Sequence, residues 1–338
     1  MRVVTFGEIM LRLKPEGYLR FLQADKYEAT YGGGEANVAV SLANFGVDAA
    51  FITKLPENDI GEGAVRALRA AGVDVSGIVR GGERTGIYFL EAGASARPSK
   101  VIYDRAGSAI AKAGKNDFNW KKIFKGADWF HFTGITPALG DNVAEITLKA
   151  VKAARAAGLK VSCDLNYRKK LWSREKARSV MEPLMEYVDV VIANEEDASD
   201  VFGITAPADV TGGKVEAAGY VGVARELIKR FDLEYAAITL RGSISASDNR
   251  WSAVLVSGDG NVYSAKEYLI HIVDRVGGGD SFGAGLIYGL SNFDPRSAVE
   301  FATAASCLKQ TIEGDFNMVT VDEVKRLSAG DASGRISR

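Results

Sequence analysis

The chain is poor in cysteine and histidine, with two of each among its 338 residues. The cysteines, Cys163 and Cys307, lie in separate apolar segments. Two cysteines in a chain of this length, with an N-terminus that enters a strand pattern at once, predict reduced thiols in a cytoplasmic protein without a secretory leader. The only histidines are His131 and His271, so the sequence offers too few ligands for a zinc site.

The chain also has no excess of charge and no long apolar segment. Its 42 basic and 43 acidic residues give a formal net charge of -1, and without a broad basic surface we expect no nucleic-acid partner. No apolar run approaches the roughly 20 residues that a membrane-spanning helix needs. The composition, 47% hydrophobic and 25% charged, is that of a globular protein large enough for a single α/β domain.

The most informative stretch runs from Asp274 to Gly285, with the sequence Asp-Arg-Val-Gly-Gly-Gly-Asp-Ser-Phe-Gly-Ala-Gly. It follows a strand-like segment, residues 268–273, and opens a predicted helix, residues 281–290. The three adjacent glycines, residues 277–279, can adopt positive φ and leave the backbone open to close approach. Bare N–H groups at the start of a helix predict an anion site, because the unpaired donors and the helix dipole both favour negative charge.

A carboxylate, Asp280, follows these three glycines, although a loop that only stored phosphate would avoid negative charge there. Such a carboxylate can accept a proton while the neighbouring amides stabilise a phosphoryl group, which predicts phosphoryl transfer to an alcohol. The alternative is a tight turn with an aspartate that only stabilises the start of a helix. The pattern matches neither a Walker A loop nor the Gly-x-Gly-x-x-Gly fingerprint of dinucleotide-binding proteins.

A second glycine run, residues 32–34, opens another predicted helix that ends at Gly46. The amides of Gly33 and Gly34 and the side chain of Asn37 could bind hydroxyl groups, which predicts a polyol site. The alternative is a left-handed turn that leads into an amphipathic helix.

From about residue 117 onward, strand and helix patterns alternate, which predicts a mostly parallel sheet with helices on both faces. One of these helices is expected over residues 215–231. Binding sites in such sheets lie at the carboxyl ends of the strands. The residues at three predicted strand ends are Asp164, Asn166, Arg168, Asn194, Asp197, Thr239, Arg241 and Gly242. The segment from Asn194 to Asp197 could begin a helix or hold Mg²⁺, which prefers oxygen ligands and keeps bound waters.

Two further segments are predicted to contain strands. Residues 10–31 mix charged and aromatic side chains, among them Arg12 and Lys14, and could form exposed strands of a flap. Residues 84–107 carry two strand-like runs separated by a turn. The planar fork of Arg105 suits a carboxylate ligand, and the alternative is a solvated residue at a strand edge.

Together the two glycine stretches resemble, in the right order, the signatures of the ribokinase-like (PfkB) carbohydrate kinases. Residues 32–39 match the N-terminal signature, Gly-Gly-x-x-x-Asn-x-Ala, and residues 274–280 resemble the C-terminal one, Asp-Thr-x-Gly-Ala-Gly-Asp. The chain departs from the second signature at Arg275 and Gly278, where the family has threonine and alanine. Neither change removes an amide donor or the acid, and the resemblance extends from residue 2 to about residue 327.

This resemblance implies a three-layer α/β/α fold with a mostly parallel central sheet and a small β-strand lid. It implies one kinase domain over residues 1–327, a lid from residues 10–31 and 84–107, and a flexible tail over residues 328–338. ATP and Mg²⁺ are the implied cofactors, and a monovalent cation could also bind near Asp274. We expect no membrane partner, and a homo-oligomer assembled through the lid strands.

The resemblance also implies roles for individual residues. Asp280 is the implied general base, and the implied anion hole is formed by Gly277, Gly278 and Gly279. The residues implied in substrate binding are Gly33, Gly34, Asn37, Tyr88, Tyr103, Arg105, Arg168 and Asp315. Those implied in nucleotide binding are Asn166, Arg168, Asn194, Thr239, Arg241, Gly242, Gly277 and Gly279. The implied contacts to Mg²⁺, through water, are Asn194 and Asp197.

Within the family, residues 85–89, 101–109 and 164–172 resemble the 2-keto-3-deoxygluconate kinases. That resemblance implies phosphorylation of the C6 hydroxyl of 2-keto-3-deoxygluconate to give 2-keto-3-deoxy-6-phosphogluconate. The carboxylate of a sugar acid needs a cationic partner, which arginine supplies in bidentate geometry. Arg105 and Arg168 are both candidates, and Arg168 could instead reach the ATP phosphates.

Two other functions stay open from the sequence. The chain could be another sugar kinase, such as a fructokinase or a ribokinase-like enzyme, or a catalytically silent sugar sensor on the same fold. The intact Asp280 and the glycines before it argue against the silent sensor. A dinucleotide oxidoreductase is disfavoured, because the first strand leads to Gly7 and Glu8 rather than to a Gly-x-Gly-x-x-Gly turn.

Overall fold

The computed structural model of the chain describes residues 1–194, 196–205 and 217–331, with side chains from residue 219 onward in the last range. Its strands are β1 (Arg2–Phe6), β2 (Met10–Pro15), β3 (Tyr27–Gly32), β4 (Asp48–Ile52), β5 (Lys54–Leu55), β6 (Val79–Arg80), β7 (Gly86–Glu91), β8 (Lys100–Asp104), β9 (Trp129–Thr133), β10 (Lys160–Asp164), β11 (Val190–Asn194), β12 (Tyr235–Ser243), β13 (Asp248–Ser257), β14 (Val262–Ser264) and β15 (Tyr268–His271). Its α-helices are α1 (Gly34–Asn44), α2 (Asp59–Ala70), α3 (Trp120–Ile123), α4 (Asp141–Ala156), α5 (Arg174–Met185), α6 (Asp197–Phe202), α7 (Ala217–Phe231), α8 (Gly278–Asn292), α9 (Pro295–Lys309) and α10 (Val321–Ser328).

The central sheet joins eight strands in the order β14-β13-β12-β11-β10-β9-β1-β4, and β15 pairs with β13 as a ninth. The strands from β4 across to β12 run parallel, and β13 is antiparallel to β12. Short apolar strands suit a sheet that is covered on both faces, and all five residues of β9 are buried. The predicted α/β class with a mostly parallel sheet is therefore confirmed.

Two apolar cores lie on opposite faces of this sheet and make the fold three layers deep. Successive strand residues divide between them, so that Val4 and Phe6 of β1 pack in one core and Val3 packs in the other. Helices α3 to α7 contribute to the first core, whereas α1, α2, α8, α9 and α10 contribute to the second. Both cysteines are buried free thiols.

A second sheet, with the strand order β3-β2-β7-β8, stands over one end of the central sheet. Strand β2 is antiparallel to β3 and parallel to β7, and β8 is antiparallel to β7. All four strands come from the two segments expected to form a lid, residues 10–31 and 84–107. The small apolar cluster of this sheet, Met10, Tyr88 and Leu90, packs against Val276. The sheet therefore contacts the glycine-rich stretch at residues 274–285 directly.

The exposed flap predicted for residues 10–31 is wrong for one of its two strands. Strand β3 is exposed over residues 27–30, but β2 turns Met10, Arg12 and Lys14 inward. Arg12 is only 1% exposed, and two buried carboxylates balance its charge there. A charged residue in this segment was therefore not a sign of exposure.

The helix predicted from Ser281 begins earlier, at Gly278. Gly277 is its N-cap residue and adopts a left-handed φ of 84°, which lets the following glycines enter the first turn. Asp280 therefore lies inside the first turn of α8, where the unpaired N–H groups of the helix are found, rather than in a loop before it.

Two predicted segments lie partly outside the described residues. Of the helix predicted over residues 215–231, the structure describes α7 from Ala217 onward. Of the tail predicted over residues 328–338, the first residue ends α10, and residues 332–338 are not described. None of the helices in the described ranges is long and apolar enough to cross a membrane.

Candidate active site

A cleft of about 480 Å³ between the two sheets brings most of the predicted site residues together. It lies at the carboxyl ends of β10 and β11, where Asp164 and Asn194 end their strands and Thr239 pairs beside Asn194. The predicted residues that line it are Gly33, Gly34, Asn37, Tyr88, Tyr103, Arg105, Asn166, Arg168, Asn194, Asp197, Thr239, Arg241, Gly277, Gly279, Asp280 and Asp315.

Gly242 and Gly278 were also predicted to belong to the site, but neither lines the cleft. Adjacent residues of a strand point to opposite faces, so Gly242 faces Arg250 of β13 while its neighbour lines the cleft. Gly278 packs against Gln310, the residue after α9, and its N–H donates to the carbonyl oxygen of Arg275 at 3.3 Å. Their positions do not support the direct roles that the sequence predicted.

The start of α8 presents bare backbone to the cleft. A Cβ atom on Gly277 would overlap the carbonyl oxygen of Asp315, so only glycine fits at this position. Gly279 is exposed, and a Cβ atom there would meet no other atom within 4 Å. Since the first N–H groups of a helix have no partner within the helix, this turn offers donors and positive potential to an anion.

The carboxylate of Asp280 joins the starts of two helices. Asn37 of α1 donates from Nδ2 to Oδ2 of Asp280 at 2.7 Å. The Oδ1 atom of Asn37 in turn accepts from the N–H of Gly33 at 3.2 Å. The two glycine runs, which lie far apart in the sequence, therefore meet at one carboxylate.

The pKa of Asp280 is set first by burial, which raises it from the ordinary 3.8 to about 6. The hydrogen bond from Asn37 lowers this pKa, and the charge of Asp315 raises it. Arg168 and Lys309 act in the lowering direction. A carboxyl group of this pKa is largely ionised at neutral pH and is a stronger base than an ordinary aspartate, which suits proton removal from a hydroxyl group.

Asp315 and Tyr88, both predicted to bind substrate, also bind each other. The Tyr88 hydroxyl lies 2.6 and 2.7 Å from the two carboxylate oxygens of Asp315 and donates to them. Arg12 donates to the same carboxylate at 2.6 Å and forms a second ion pair with Asp274. Sequence reasoning missed Arg12, although its spacing from Met10 on one strand face was an available signal.

Arg105 is held by Glu8, a second residue that sequence reasoning missed. The Nε atom of Arg105 donates to Glu8 at 2.7 Å, and Nη2 pairs with the same carboxylate oxygen. The Ser108 hydroxyl donates to the other oxygen of Glu8 at 2.6 Å, and the Arg105 guanidinium lies 5.5 Å from the centre of the Tyr103 ring. Arg105 is thus a fixed residue of the cleft and not a solvated strand residue. Glu8 comes soon after the carboxyl end of β1, and residues at such strand ends are expected to lie at the binding site.

Arg168 also lines the cleft, and its Nη1 atom donates to the carbonyl oxygen of Tyr167 at 3.1 Å. It is exposed, and its charge lowers the pKa of both Asp280 and Asp164. Burial raises the pKa of Asp164 well above its ordinary value, and the charges of Asp197 and Asp280 add to that effect. Arg168 is therefore the arginine whose charge acts on the acids around the start of α8.

The two residues predicted to contact Mg²⁺ through water instead hold the start of α6. Asn194 accepts from the N–H groups of Glu196 and Asp197 at 2.8 and 3.0 Å. The carboxylate of Asp197 accepts from the N–H groups of Tyr167 and Asn194 at 3.0 and 3.3 Å. No group of three or more histidine, cysteine, aspartate or glutamate side chains in the described ranges could hold a metal. The water-mediated contact stays a prediction.

Arg241 and Arg275 bring positive charge to the side of the cleft formed by β12. The Arg241 guanidinium lies 5.8 Å from the centre of the Trp251 ring. Burial lowers the pKa of Arg275, and the nearby charge of Arg241 lowers it further. Both side chains line the cleft, which suits a polyanionic ligand. The sequence had shown Arg275 only as a departure from the family signature.

The surroundings of Asp274, where a monovalent cation was expected, contain two side-chain cations of the protein. Arg12 pairs with the carboxylate, which also accepts from the N–H groups of Val276 and Gly314, each at 3.1 Å. The ammonium group of Lys309 lies 3.2 Å from the Asp274 carbonyl oxygen. A free cation at this position stays a prediction.

Comparisons with known proteins agree with this geometry. A sequence model described as pfkB family carbohydrate kinase matches residues 1–319. A 2-dehydro-3-deoxygalactonokinase of Haloferax volcanii is 35% identical over 333 residues, which are 98% of this chain and 98% of that protein. A 2-dehydro-3-deoxygluconokinase of Thermoproteus tenax is 29% identical over 320 residues, covering 93% of this chain and 89% of that protein. The crystal structure of 2-dehydro-3-deoxygluconokinase from Thermotoga maritima superposes with a TM-score of 0.94 at 52% identity, covering 98% of this chain and 100% of that one.

Proposed function

Because this chain belongs to the pfkB family of carbohydrate kinases, we propose that it transfers the terminal phosphoryl group of ATP to a 2-keto-3-deoxy sugar acid. The proposed acceptor is the C6 hydroxyl of 2-keto-3-deoxygluconate, also called 2-dehydro-3-deoxygluconate, and the product is 2-keto-3-deoxy-6-phosphogluconate. The observation that carries this proposal is the full-length similarity, at 52% identity, to the Thermotoga maritima protein that is named for this substrate.

Asp280 acts as the general base in this mechanism. Its carboxylate takes the proton of the C6 hydroxyl while that oxygen bonds to the γ-phosphorus and the bond from this phosphorus to the bridging oxygen of ADP breaks. A pKa of about 6 keeps Asp280 ionised at neutral pH. Asn37 holds the carboxylate through its 2.7 Å hydrogen bond, so the base is oriented before substrate binds.

The start of α8 stabilises the phosphoryl group during transfer. Its first-turn amides, around Gly277 and Gly279, present donors where charge develops. Arg168 is assigned to the phosphates, because its charge acts on Asp280 in the first turn of α8. Mg²⁺ bound with ATP would neutralise phosphate charge, and Asn194 and Asp197 are the residues proposed to reach it through water.

The carboxylate of the sugar acid is assigned to Arg105. Glu8 accepts one N–H each from Nε and Nη2, which leaves the two N–H groups of Nη1 and the second N–H of Nη2 for a ligand. Asp315, oriented by Arg12 and Tyr88, is assigned to a sugar hydroxyl. This division gives each arginine one anionic group of a ligand to bind.

The small sheet is proposed to act as a lid. It carries Tyr88 and Tyr103 at the cleft, and closure over the sugar would exclude the water that otherwise hydrolyses ATP. Its edge strand β3 is exposed over residues 27–30, and the free edge of such a strand can pair with another copy of the chain. We assign the predicted homo-oligomer to this surface.

The C4 epimer of the substrate is a second candidate. The 35% identity to the Haloferax volcanii protein, which is named a 2-dehydro-3-deoxygalactonokinase, favours testing it. The two acids share the carboxylate and the C6 hydroxyl, so Arg105 and Asp280 would have the same roles with either one.

Release of ADP by the purified chain with Mg²⁺ and ATP tests the proposal. The acceptors to compare are 2-keto-3-deoxygluconate, 2-keto-3-deoxygalactonate, gluconate, fructose and ribose. We expect the highest kcat/KM with a 2-keto-3-deoxy acid, because fructose and ribose lack the carboxylate assigned to Arg105 and gluconate lacks the 2-keto group of the proposed substrate. A higher kcat/KM with fructose or ribose would overturn the substrate assignment, and no turnover with any acceptor would overturn the catalytic proposal.

A further inference from the structure

Lys309, the last residue of α9, is a buried cation that the proposed mechanism does not use. Its exposure is 0%, and its ammonium group lies among backbone carbonyl oxygens. The Nζ atom is 2.6 Å from the carbonyl oxygen of Gly314, 3.2 Å from that of Asp274 and 3.5 Å from that of Ile312. A buried lysine is rare, so its partners indicate what it does.

The number of these partners indicates that Lys309 is charged. An ammonium group has three N–H donors and no acceptor, and it faces three carbonyl oxygens. A neutral amine would offer only two donors and would point a lone pair at one of the oxygens. Burial lowers the pKa of Lys309 and the charge of Arg12 adds to this effect, whereas the charges of Asp274, Asp315 and Asp280 act in the opposite direction and favour the charged form.

These contacts join the two segments that enclose the start of α8. The ammonium group connects the turn at residues 312–314 to Asp274, the first residue of the glycine-rich stretch. The Asp274 carboxylate adds a bond to each segment, accepting from the N–H groups of Gly314 and Val276. The stem of Lys309 also packs against Gly277, where a Cβ atom would lie 3.1 Å from Cε of the lysine. The position of the proposed anion hole therefore depends on this ammonium group.

Backbone carbonyl oxygens that converge in this way form the environment that an alkali cation takes in exchange for its hydration shell. We propose that Lys309 is a positioning residue whose tethered ammonium group fills such a site and holds the start of α8 in place, so that catalysis needs no free K⁺ or Na⁺. A second cation among the same oxygens would be repelled by the ammonium group. The inference rests on the proposed function where it is tested by the rate of ADP release, but not where it is tested by thermal unfolding in different salts.

The test compares the full-length chain with Lys309→Met, which keeps the stem and removes the charge. ADP release is measured with 2-keto-3-deoxygluconate in tetramethylammonium chloride and then in equal concentrations of KCl, NaCl or NH₄Cl. We expect the rate of the unsubstituted chain to change less than about twofold among these salts, since no site is open. Displacement of the glycine turn in Lys309→Met should lower kcat by about 10²-fold in tetramethylammonium. K⁺ or NH₄⁺ should restore at least a tenth of the lost rate, a rescue that loss of packing alone would not give.

Thermal unfolding in the same salts gives a second readout that needs no substrate. K⁺ bound in the vacated site should raise the Tm of Lys309→Met by about 2 °C or more relative to tetramethylammonium, because a ligand of the folded state stabilises it. The unsubstituted chain should show no such K⁺-specific rise. Lys14→Met is the matched control, since Lys14 is also buried but pairs with Glu313 at 3.4 Å and does not contact the three carbonyl oxygens. It should gain no response to K⁺.

Two results would overturn the proposal. One is activation of the unsubstituted chain by K⁺ of more than about tenfold together with a rise of its Tm, which would show an open cation site. The other is a Lys309→Met protein that is folded and that no cation rescues in rate or in Tm. If no sugar is phosphorylated at all, the proposed function fails, and the Tm comparison still decides whether Lys309 fills a cation site.

Discussion

The two glycine runs of this chain have one pattern, three glycines and then an acid, but the acids differ in what surrounds them. Glu35 of α1 is 1% exposed, and its Oε1 atom accepts from the N–H and hydroxyl of Thr133 at 2.9 and 2.8 Å. The same atom accepts from the Thr136 hydroxyl at 2.5 Å. Asp280 of α8 faces the cleft and accepts from the amide of Asn37.

This difference arises because the two helices begin at different positions within their glycine runs. The N-cap of α1 is the second glycine of its run, Gly33, whereas the N-cap of α8 is the first glycine, Gly277. Glu35 is therefore the second residue of its helix and Asp280 is the third, a rotation of about 100° around the axis. Burial raises both pKa values, to about 7 for Glu35 and about 6 for Asp280, so the pKa alone does not identify the base. Both acids line the cleft, but Glu35 is 1% exposed and its Oε1 atom is bound by Thr133 and Thr136, whereas Asp280 is only half-buried.

The largest effect should come from removing each acid in turn. Asp280→Asn should lower kcat by about 10²–10⁴-fold, because the base is lost, with little change in substrate affinity. Glu35→Gln should lower kcat by less than about tenfold, since a glutamine oxygen can still accept from Thr133 and Thr136. ADP release gives kcat, and calorimetric titration with the sugar acid gives affinity. Equal losses of kcat in the two variants would contradict the different roles assigned to Asp280 and Glu35.

Substitution of the two arginines should change different kinetic constants, because Arg105 is held by Glu8 whereas the charge of Arg168 acts on Asp280. Arg105→Lys should raise the KM for the sugar acid by roughly 10- to 100-fold, since the fork that Glu8 orients is lost. Arg168→Lys should act mainly on kcat, because Arg168 lies with Asp280. Initial rates with each substrate varied in turn give both constants. If Arg168→Lys instead raised KM and Arg105→Lys lowered kcat, Arg168 would be the residue that binds the carboxylate and Arg105 the one that binds phosphate.

Asn37 connects the two runs, and its removal should have a smaller effect. Asn37→Ala should lower kcat by about tenfold, because one hydrogen bond to the charged base is lost. The same change should raise the pKa of Asp280, since this hydrogen bond lowers it in the native protein. Asn44→Ala is a control on the same helix, outside the cleft, and it should leave kcat unchanged. A normal kcat in Asn37→Ala would show that the hydrogen bond between Asn37 and Asp280 does not contribute to catalysis.

The last effect is on stability rather than on rate, and it belongs to Glu35. Its folded-state pKa of about 7 lies above its ordinary 4.5, so the folded state holds the proton more tightly than the unfolded state. The resulting stabilisation is fully present below pH 4.5 and is lost as the pH rises to 7. Over this window Glu35→Gln should gain up to about 3 kcal/mol in free energy of unfolding relative to the unsubstituted chain. Urea unfolding at pH 5 and pH 7.5 measures it. A difference that is constant with pH would contradict the account of Glu35.

The fold and the main cleft could be predicted from the sequence because their signals are local. Alternating strand and helix patterns gave the parallel sheet, and the glycine runs marked the helix starts that face the cleft. Gly242 was misplaced because a turn pattern does not state which face of β12 a residue occupies. The register of α8 was misplaced by three residues, since the left-handed φ of Gly277 is not encoded in a run of three identical glycines.

The residues that were missed depend on partners far away in the sequence. Arg12 is buried because Asp274 and Asp315 come to it from the other end of the chain. Lys309 is buried because the carbonyl oxygen of Asp274, 35 residues earlier in the sequence, meets those of Ile312 and Gly314 at its ammonium group. Charge in each case was a poor guide to exposure, because pairing decides whether a cation can be buried.

The central claim, that Asp280 and not Glu35 is the base, is tested most directly by the pH dependence of kcat/KM in three proteins. The unsubstituted chain should lose activity below an apparent pKa of about 6, since a protonated Asp280 cannot accept the C6 proton. This limb should keep its position in Glu35→Gln and move to higher pH in Asn37→Ala. ATP itself titrates identically in assays of all three proteins. Differences in the apparent pKa between the proteins therefore report on the substituted side chains. A limb that shifts in Glu35→Gln and stays in place in Asn37→Ala would contradict the account.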